Sequence, residues 1–192
     1  WRATRSQSGA DILQEIEETV LWARRRFSAH RFILVGHSAG GIMARLYLCD
    51  QPVWGRVYAG AEHVDAVITL GSPHCSDTGA DTGWFATDTA NRLVPGARYD
   101  RVRYMTIAGR YVQGNQAGNY KARRAFRIYQ ALGGDGSAWG DGMVPLHCCQ
   151  LDGVRLLVLD GVAHSLKIDR RWYGGSADIV RRWWPQDVLR EL

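Results

Sequence analysis

The sequence predicts an α/β fold in which a mostly parallel, doubly wound sheet is flanked by helices. Short, continuously apolar segments recur along the chain, and glycine, proline or polar turn residues follow them. Helical segments with apolar residues at three- and four-residue spacing lie between them. The 192 residues fit a single domain over residues 1–192, since no repeat or linker divides them.

The first helix is predicted between Asp11 and Phe27. Apolar residues recur there at helical spacing, glutamates come early and three arginines come late, which compensates the helix dipole. Ser8 is the expected N-cap, and Asp11 stands in for the glutamate of a capping box.

Four strands follow from the apolar runs at 32–35, 66–70, 102–108 and 155–159. The first run is continuously apolar, so it is expected to be buried on both faces. Later helices are predicted at 39–48, 84–93 and 177–184, whereas residues 133–142 contain five glycines and are expected to be loop.

Composition and charge exclude several function classes. The formal charge is +5, but the arginines are scattered and no zinc-finger, RNP or basic-zipper pattern accompanies them, so no nucleic-acid partner is expected. No apolar run approaches the 18 or so residues of a transmembrane helix, although peripheral contact with anionic lipid headgroups is left open. The four cysteines lack metal-site spacing, and free thiols in a reducing compartment are expected. The localisation is otherwise unknown from the sequence, with a soluble protein inside the cell or in a plastid favoured.

The motif that carries chemistry is Gly36-His37-Ser38-Ala39-Gly40, a G-x-S-x-G pattern between a predicted strand and a helix. In that context it predicts a nucleophile elbow, a sharp turn that lifts the serine hydroxyl clear of the sheet. Side chains at Gly36 and Gly40 would crowd the neighbouring strand or helix. The backbone N–H of Ala39, at the positive end of the helix, would face a developing oxyanion. The alternative interpretation is a glycine-rich turn between strand and helix whose serine has no catalytic role.

A serine nucleophile needs a base, and the base needs an orienting carboxylate. Asp141 lies in a glycine-flanked loop, and His164 comes directly after the last predicted strand, so both can reach the same sheet edge as Ser38. His147 remains an alternative base, and Asp135 remains an alternative acid.

Two further histidines are candidate pocket residues. His37 lies inside the elbow and cannot easily turn back onto its neighbour, and His74 follows the end of a strand. A loop histidine bonded to backbone is an equally good interpretation of His74.

Four segments in order, 33–41, 67–74, 140–145 and 161–165, resemble the α/β-hydrolase superfamily. Within it, the sequence is most similar to the lipase-like branch that includes the inositol deacylases of glycosylphosphatidylinositol processing and related plant and cyanobacterial hydrolases. The resemblance implies hydrolysis of small-molecule or lipid carboxylic esters through an acyl-enzyme, with no cofactor and no metal.

Carried over by motif, Ser38 would be the nucleophile, Asp141 the acid, His164 the base and Ala39 one oxyanion-hole donor. Two other functions use the same residues differently. One is a non-catalytic module that binds a ligand in a hydrolase fold, and the other is acyl transfer or thioester cleavage by the same triad.

The sequence departs from the family pattern before Ser38, where only one strand is predicted. Complete α/β-hydrolases have several strands there, and a loop among them supplies the second oxyanion-hole donor. We therefore expect the chain to be the C-terminal two-thirds of such a domain. Without that donor, the barrier should rise by about 2.7–4 kcal/mol.

Overall fold

The computed structural model describes residues 8–75 and 85–184. The helices are α1 (Gly9–Phe27), α2 (Ala39–Tyr47), α3 (Phe85–Leu93), α4 (Tyr120–Gly133) and α5 (Ala177–Trp183). The strands are β1 (Phe32–His37), β2 (Val64–Leu70), β3 (Arg103–Arg110), β4 (Val112–Gln113), β5 (Trp139–Gly140) and β6 (Leu156–Asp160).

Four strands form a parallel sheet in the order β1-β2-β3-β6, and β4 pairs with β5 in a separate antiparallel ribbon. The apolar residues of the sheet pack on both faces. Val67 joins a cluster with α1, α2 and α3, whereas its neighbour Ile68 joins the cluster that contains α5. The sheet is therefore covered by helices on both sides, which confirms the predicted fold class.

Helix α1 begins as predicted. Ser8 Oγ accepts a hydrogen bond from the backbone N–H of Asp11, and the carboxylate of Asp11 accepts one from the backbone N–H of Ser8. This reciprocal capping box satisfies two donors that the first turn would otherwise leave unpaired. The helix predicted at 84–93 is present from Phe85, and Trp84 lies outside the described residues.

Two expectations about the strands and loops are wrong. Strand β1 is not buried on both faces, because Val35 is 42% exposed and the other apolar residues of its run are only partly buried. The segment 133–142, predicted to be loop, contains strand β5. Helix α4, which ends at Gly133, was not predicted.

The expectation of free cysteines is wrong for two of the four. Cys75 and Cys148 form a disulfide with their Cα atoms 4.7 Å apart. The backbone N–H of His74 donates to the carbonyl of Cys148 at 2.7 Å, which holds the two chain segments side by side. Cys49 and Cys149 are free and buried. None of the helices in the described ranges is long and apolar enough to cross a membrane.

Candidate active site

The chain turns sharply between β1 and α2, and Ser38 occupies the turn. Its backbone angles are φ 56° and ψ −128°, a region that residues with a side chain rarely adopt. The turn is held by a 2.9 Å hydrogen bond from the backbone N–H of Ser38 to the carbonyl of Leu70, the last residue of β2. The Ser38 side chain makes no capping bond to α2, so its hydroxyl is not consumed by the helix.

Glycines allow this turn, but not at both of the expected positions. A Cβ on Gly36 would overlap the backbone of Gly40 and Gly41, as the sequence predicts. A Cβ on Gly40 would meet nothing within 4 Å, so the predicted crowding there is wrong. Gly41 is the second crowded position, because a Cβ there would overlap the side chain of Ser72. The close approach of helix to sheet therefore depends on Gly36 and Gly41.

The structure brings Asp141 and His164 together over the carboxyl ends of the strands. His164 Nδ1 lies 2.8 Å from Asp141 Oδ2, and the backbone N–H of His164 donates to the carbonyl of Asp141 at 2.9 Å. Asp141 is fully buried, and His164 is almost so. The side chain of Asp141 passes close to two glycines. A Cβ added at Gly71 would lie 2.5 Å from Asp141 Oδ2, and one added at Gly109 would lie 3.1 Å from the Cβ of Asp141.

The Asp141 carboxylate accepts four hydrogen bonds. Oδ1 accepts from the backbone N–H groups of Met143 and Val144 at 2.9 and 2.8 Å. Oδ2 accepts from His164 Nδ1 and from the hydroxyl of Tyr173 at 2.9 Å. These donors are directed to an ionised carboxylate, so His164 must carry its proton on Nδ1 and present Nε2 as an acceptor.

Tyr173 is a site residue that the sequence analysis missed. Its hydroxyl donates to Asp141 and accepts a 2.7 Å hydrogen bond from the backbone N–H of Gly109 at the end of β3. Burial, together with the nearby charge of Asp141, raises the pKa of the Tyr173 hydroxyl well above its usual value, so the group stays a donor. No local pattern marks a tyrosine in the loop after the histidine, so only the tertiary contact reveals it.

His37 links the elbow to the His164 loop. Its Nε2 lies 2.7 Å from the backbone carbonyl of His164, and the two imidazole rings lie 4.6 Å apart between centroids. Because that carbonyl can only accept, His37 Nε2 must donate. Burial, with a smaller contribution from His164, lowers the pKa of His37 and favours the neutral ring.

His37, the residue before Ser38, is therefore the elbow residue that contacts His164. Among the described residues no hydrogen bond joins the Ser38 hydroxyl to the His164 ring. Such catalytic bonds are often loose without substrate and tighten in the complex. The elbow and the Asp141–His164 pair lie at the same carboxyl edge of the sheet.

The elbow and the first helices also match a known family. Residues 9–93 match the sequence model of the PGAP1-like alpha/beta domain, slightly under half of the chain. That match and the helix-covered parallel sheet point to one superfamily. Together they support an assignment to the α/β-hydrolases, of the lipase-like kind.

No curated protein matches this chain. A solved structure described as an alpha-beta serine hydrolase homologue from Coxiella burnetii aligns at 13% sequence identity with a TM-score of 0.49. The alignment covers 98% of this chain and 62% of that one, so this chain spans less than two thirds of that protein.

The alternative acid and base, Asp135 and His147, make other contacts. The Asp135 carboxylate is exposed and accepts hydrogen bonds from the backbone and side chain of Ser137. His147 Nε2 contacts the carbonyl of Gly133 at 3.2 Å. Neither side chain shares a hydrogen bond with Asp141 or His164.

His74 is buried in a polar network, and it is not among the lining residues of the cleft beside His164. Its Nδ1 lies 3.2 Å from Arg45 Nη1 and its Nε2 lies 3.1 Å from Thr69 Oγ1. Since Arg45 can only donate, His74 Nδ1 accepts and Nε2–H donates. Burial, reinforced by the charge of Arg45, lowers the pKa of His74 to about 3. The ring holds the loop after β2 and takes no part in the cleft.

A cleft of about 440 Å³ opens beside His164. It lies between the start of α4, the loop that follows Asp141 and the chain after His164. Its lining includes Tyr111, Met143, Ser165 and Ile168, together with three cationic side chains. Its position next to the imidazole makes it the place where part of a substrate can lie. His37, the other candidate pocket residue, is not among its lining residues.

Proposed function

We propose that this α/β-hydrolase hydrolyses carboxylic esters of small molecules or lipids through an acyl-enzyme on Ser38. The observation that supports this most directly is the pairing of two features at one sheet edge. A serine is held at positive φ at the start of a helix, and a buried carboxylate–imidazole pair lies in the loop that contacts the neighbouring residue His37.

In the proposed reaction, Ser38 Oγ attacks the ester carbonyl carbon while its proton passes to His164 Nε2. Asp141 keeps the other ring nitrogen protonated and stabilises the imidazolium that forms. The bond from carbon to the alcohol oxygen then breaks, and His164 returns the proton to that oxygen. Water then hydrolyses the acyl-enzyme by the same steps. His164 takes a proton from the water molecule, and the resulting hydroxide adds to the acyl carbon. The bond from that carbon to Ser38 Oγ breaks as His164 returns the proton to this oxygen, and the acid is released.

The backbone N–H of Ala39 is the proposed oxyanion donor. Ala39 is the first residue of α2, so its N–H lies at the positive end of the helix, directly after the nucleophile. A second donor from a loop before the elbow stays a prediction, as does the view that the chain is part of a longer domain.

Turnover of p-nitrophenyl esters of increasing chain length tests the proposal. Wild-type protein should release a burst of p-nitrophenol and then a slower steady state, and Ser38→Ala should abolish both. Ser28→Ala is the matched control, because Ser28 also has positive φ (52°) but ends α1 far along the chain from the imidazole. Equal turnover in wild type and Ser38→Ala would refute the proposal, and binding of esters without turnover would favour a non-catalytic module.

A further inference from the structure

The cleft beside His164 has an unusual charge. Lys121, Arg124 and Lys167 line it, and within residues 8–75 and 85–184 no aspartate or glutamate does. His164 lines the same cleft, so the three cations and the histidine share one space. A concave surface lined by one sign of charge concentrates ligands of the opposite sign.

The cations of the cleft are poorly neutralised. The nearest carboxylate, Asp169, lies 4.0 Å from the Lys121 ammonium and also accepts from the hydroxyl of Tyr111 at 2.9 Å. Arg124 instead places a guanidinium nitrogen 3.4 Å from the sulfur of Met143. Within residues 8–75 and 85–184, no ion pair involves Arg124 or Lys167.

The positive side chains of helix α4 are concentrated at its N-terminal end, where the helix dipole is also positive. Its cations, at positions 121, 123, 124 and 127, all lie in its first eight residues, and residues 120–133 include no acidic residue. Cations near a helix N-terminus are unfavourable, and α1 shows the usual arrangement, with Asp11 in the first turn and arginines in the last. Side chains that break a local rule of this kind are commonly retained for function.

The position of the cleft indicates which part of the substrate it holds. His164 gives its proton to the leaving oxygen, so the alcohol portion of the ester must lie against the imidazole. The cleft begins at His164 and extends to Arg124 and Lys121. In the proposed reaction the alcohol portion therefore lies on the side of the cations.

We propose that the esters hydrolysed by this protein carry an anionic group, a carboxylate or a phosphate, on the leaving alcohol, and that Arg124, Lys121 and Lys167 bind it. This inference rests on the proposed ester hydrolysis. Arg124 is the central residue, since a guanidinium can bind either anion through two parallel hydrogen bonds.

Matched esters test the inference. The probes are 4-(butyryloxy)benzoate and 4-(butyryloxy)phenyl phosphate, and the neutral control is methyl 4-(butyryloxy)benzoate. We expect kcat/KM for the anionic esters to exceed that for the neutral ester by about tenfold or more at low salt and to lose this advantage as ionic strength rises. The ratio of the two anionic esters shows whether the carboxylate or the phosphate is preferred.

Two variants of α4 make the test specific. Arg124→Gln should lower the ratio of anionic to neutral kcat/KM by about tenfold. Arg127→Gln removes the same charge from the same helix but from a residue that does not line this cleft, so it should leave the ratio unchanged. An anionic-to-neutral ratio near one in wild type, or an equal fall in both variants, would overturn the inference while leaving ester hydrolysis intact.

Binding separates this inference from the proposed function. If no ester is hydrolysed, calorimetric titration of the protein with phenyl phosphate and with 4-hydroxybenzoate still tests the cleft. We expect binding by at least one anion that weakens about tenfold in Arg124→Gln and is unchanged in Arg127→Gln. Absence of binding by both anions, together with absence of turnover, would overturn the inference and the function together.

Discussion

Replacing Asp141 by asparagine tests the proposed role of the buried carboxylate. In the structure Oδ1 accepts from two backbone N–H groups, and Oδ2 faces His164 Nδ1 and the Tyr173 hydroxyl. An asparagine that keeps its oxygen toward the backbone donors must direct its NH₂ group at His164. The ring then accepts at Nδ1 and carries its proton on Nε2, which removes the base from the serine.

The expected loss is large because this change alters the tautomer and leaves the side-chain shape intact. Loss of the correct tautomer in a serine triad lowers kcat by about 10⁴, which corresponds to about 5.4 kcal/mol of barrier. The assay is steady-state hydrolysis of p-nitrophenyl butyrate, with circular dichroism to check folding. Asp135→Asn is the control, because that carboxylate is exposed and bonds Ser137. A folded Asp141→Asn variant that loses less than tenfold in kcat would refute this reasoning.

Further predictions concern packing and pH. Tyr173→Phe removes the hydroxyl that bonds both Asp141 and the backbone of β3. The free energy of unfolding, measured with urea, should fall by about 1–3 kcal/mol, and kcat should fall as well. An unchanged urea midpoint would count against these two hydrogen bonds. Gly36→Ala should yield unfolded or strongly destabilised protein, whereas Gly40→Ala should fold normally. Melting temperatures of the two variants test this, and equal values would contradict the crowding at Gly36. The pKa of His74 is about 3 in the fold but ordinary in the unfolded chain, so only the unfolded chain gains a proton between these values, and stability falls as pH drops below about 6.5. Between pH 7.5 and pH 5 wild type should therefore lose about 2 kcal/mol more than His74→Gln in urea titrations, and equal losses would mean that His74 is protonated in the fold.

The central part of the fold could be predicted from local signals. Apolar runs located the strands of the parallel sheet because a strand covered on both faces needs few polar residues. The Gly-x-Ser-x-Gly pattern located the elbow, since the backbone at Ser38 has the strained conformation that the motif demands. The order of serine, acid and histidine then selected Asp141 and His164, which the structure joins by a hydrogen bond.

Other features depend on tertiary contacts that no local pattern encodes. The pairing of Cys75 with Cys148 joins residues 73 positions apart, and no spacing rule applies to it. Tyr173 reaches Asp141 only after the chain has folded back over the sheet. Helix α4 is different, because Ala125, Tyr129 and Leu132 are buried at helical spacing, a signal that was present in the sequence.

The most direct test of the central claim is to trap the nucleophile. The protein is treated with a fluorophosphonate, digested with trypsin and analysed by mass spectrometry. Cleavage after Arg31 and Arg45 gives a peptide of residues 32–45, in which Ser38 is the sole hydroxyl-bearing residue. We predict a phosphonyl adduct on this peptide, absent from Ser38→Ala and much slower to form in Asp141→Asn. Labelling of another peptide that persists in Ser38→Ala, with none on residues 32–45, would contradict the account.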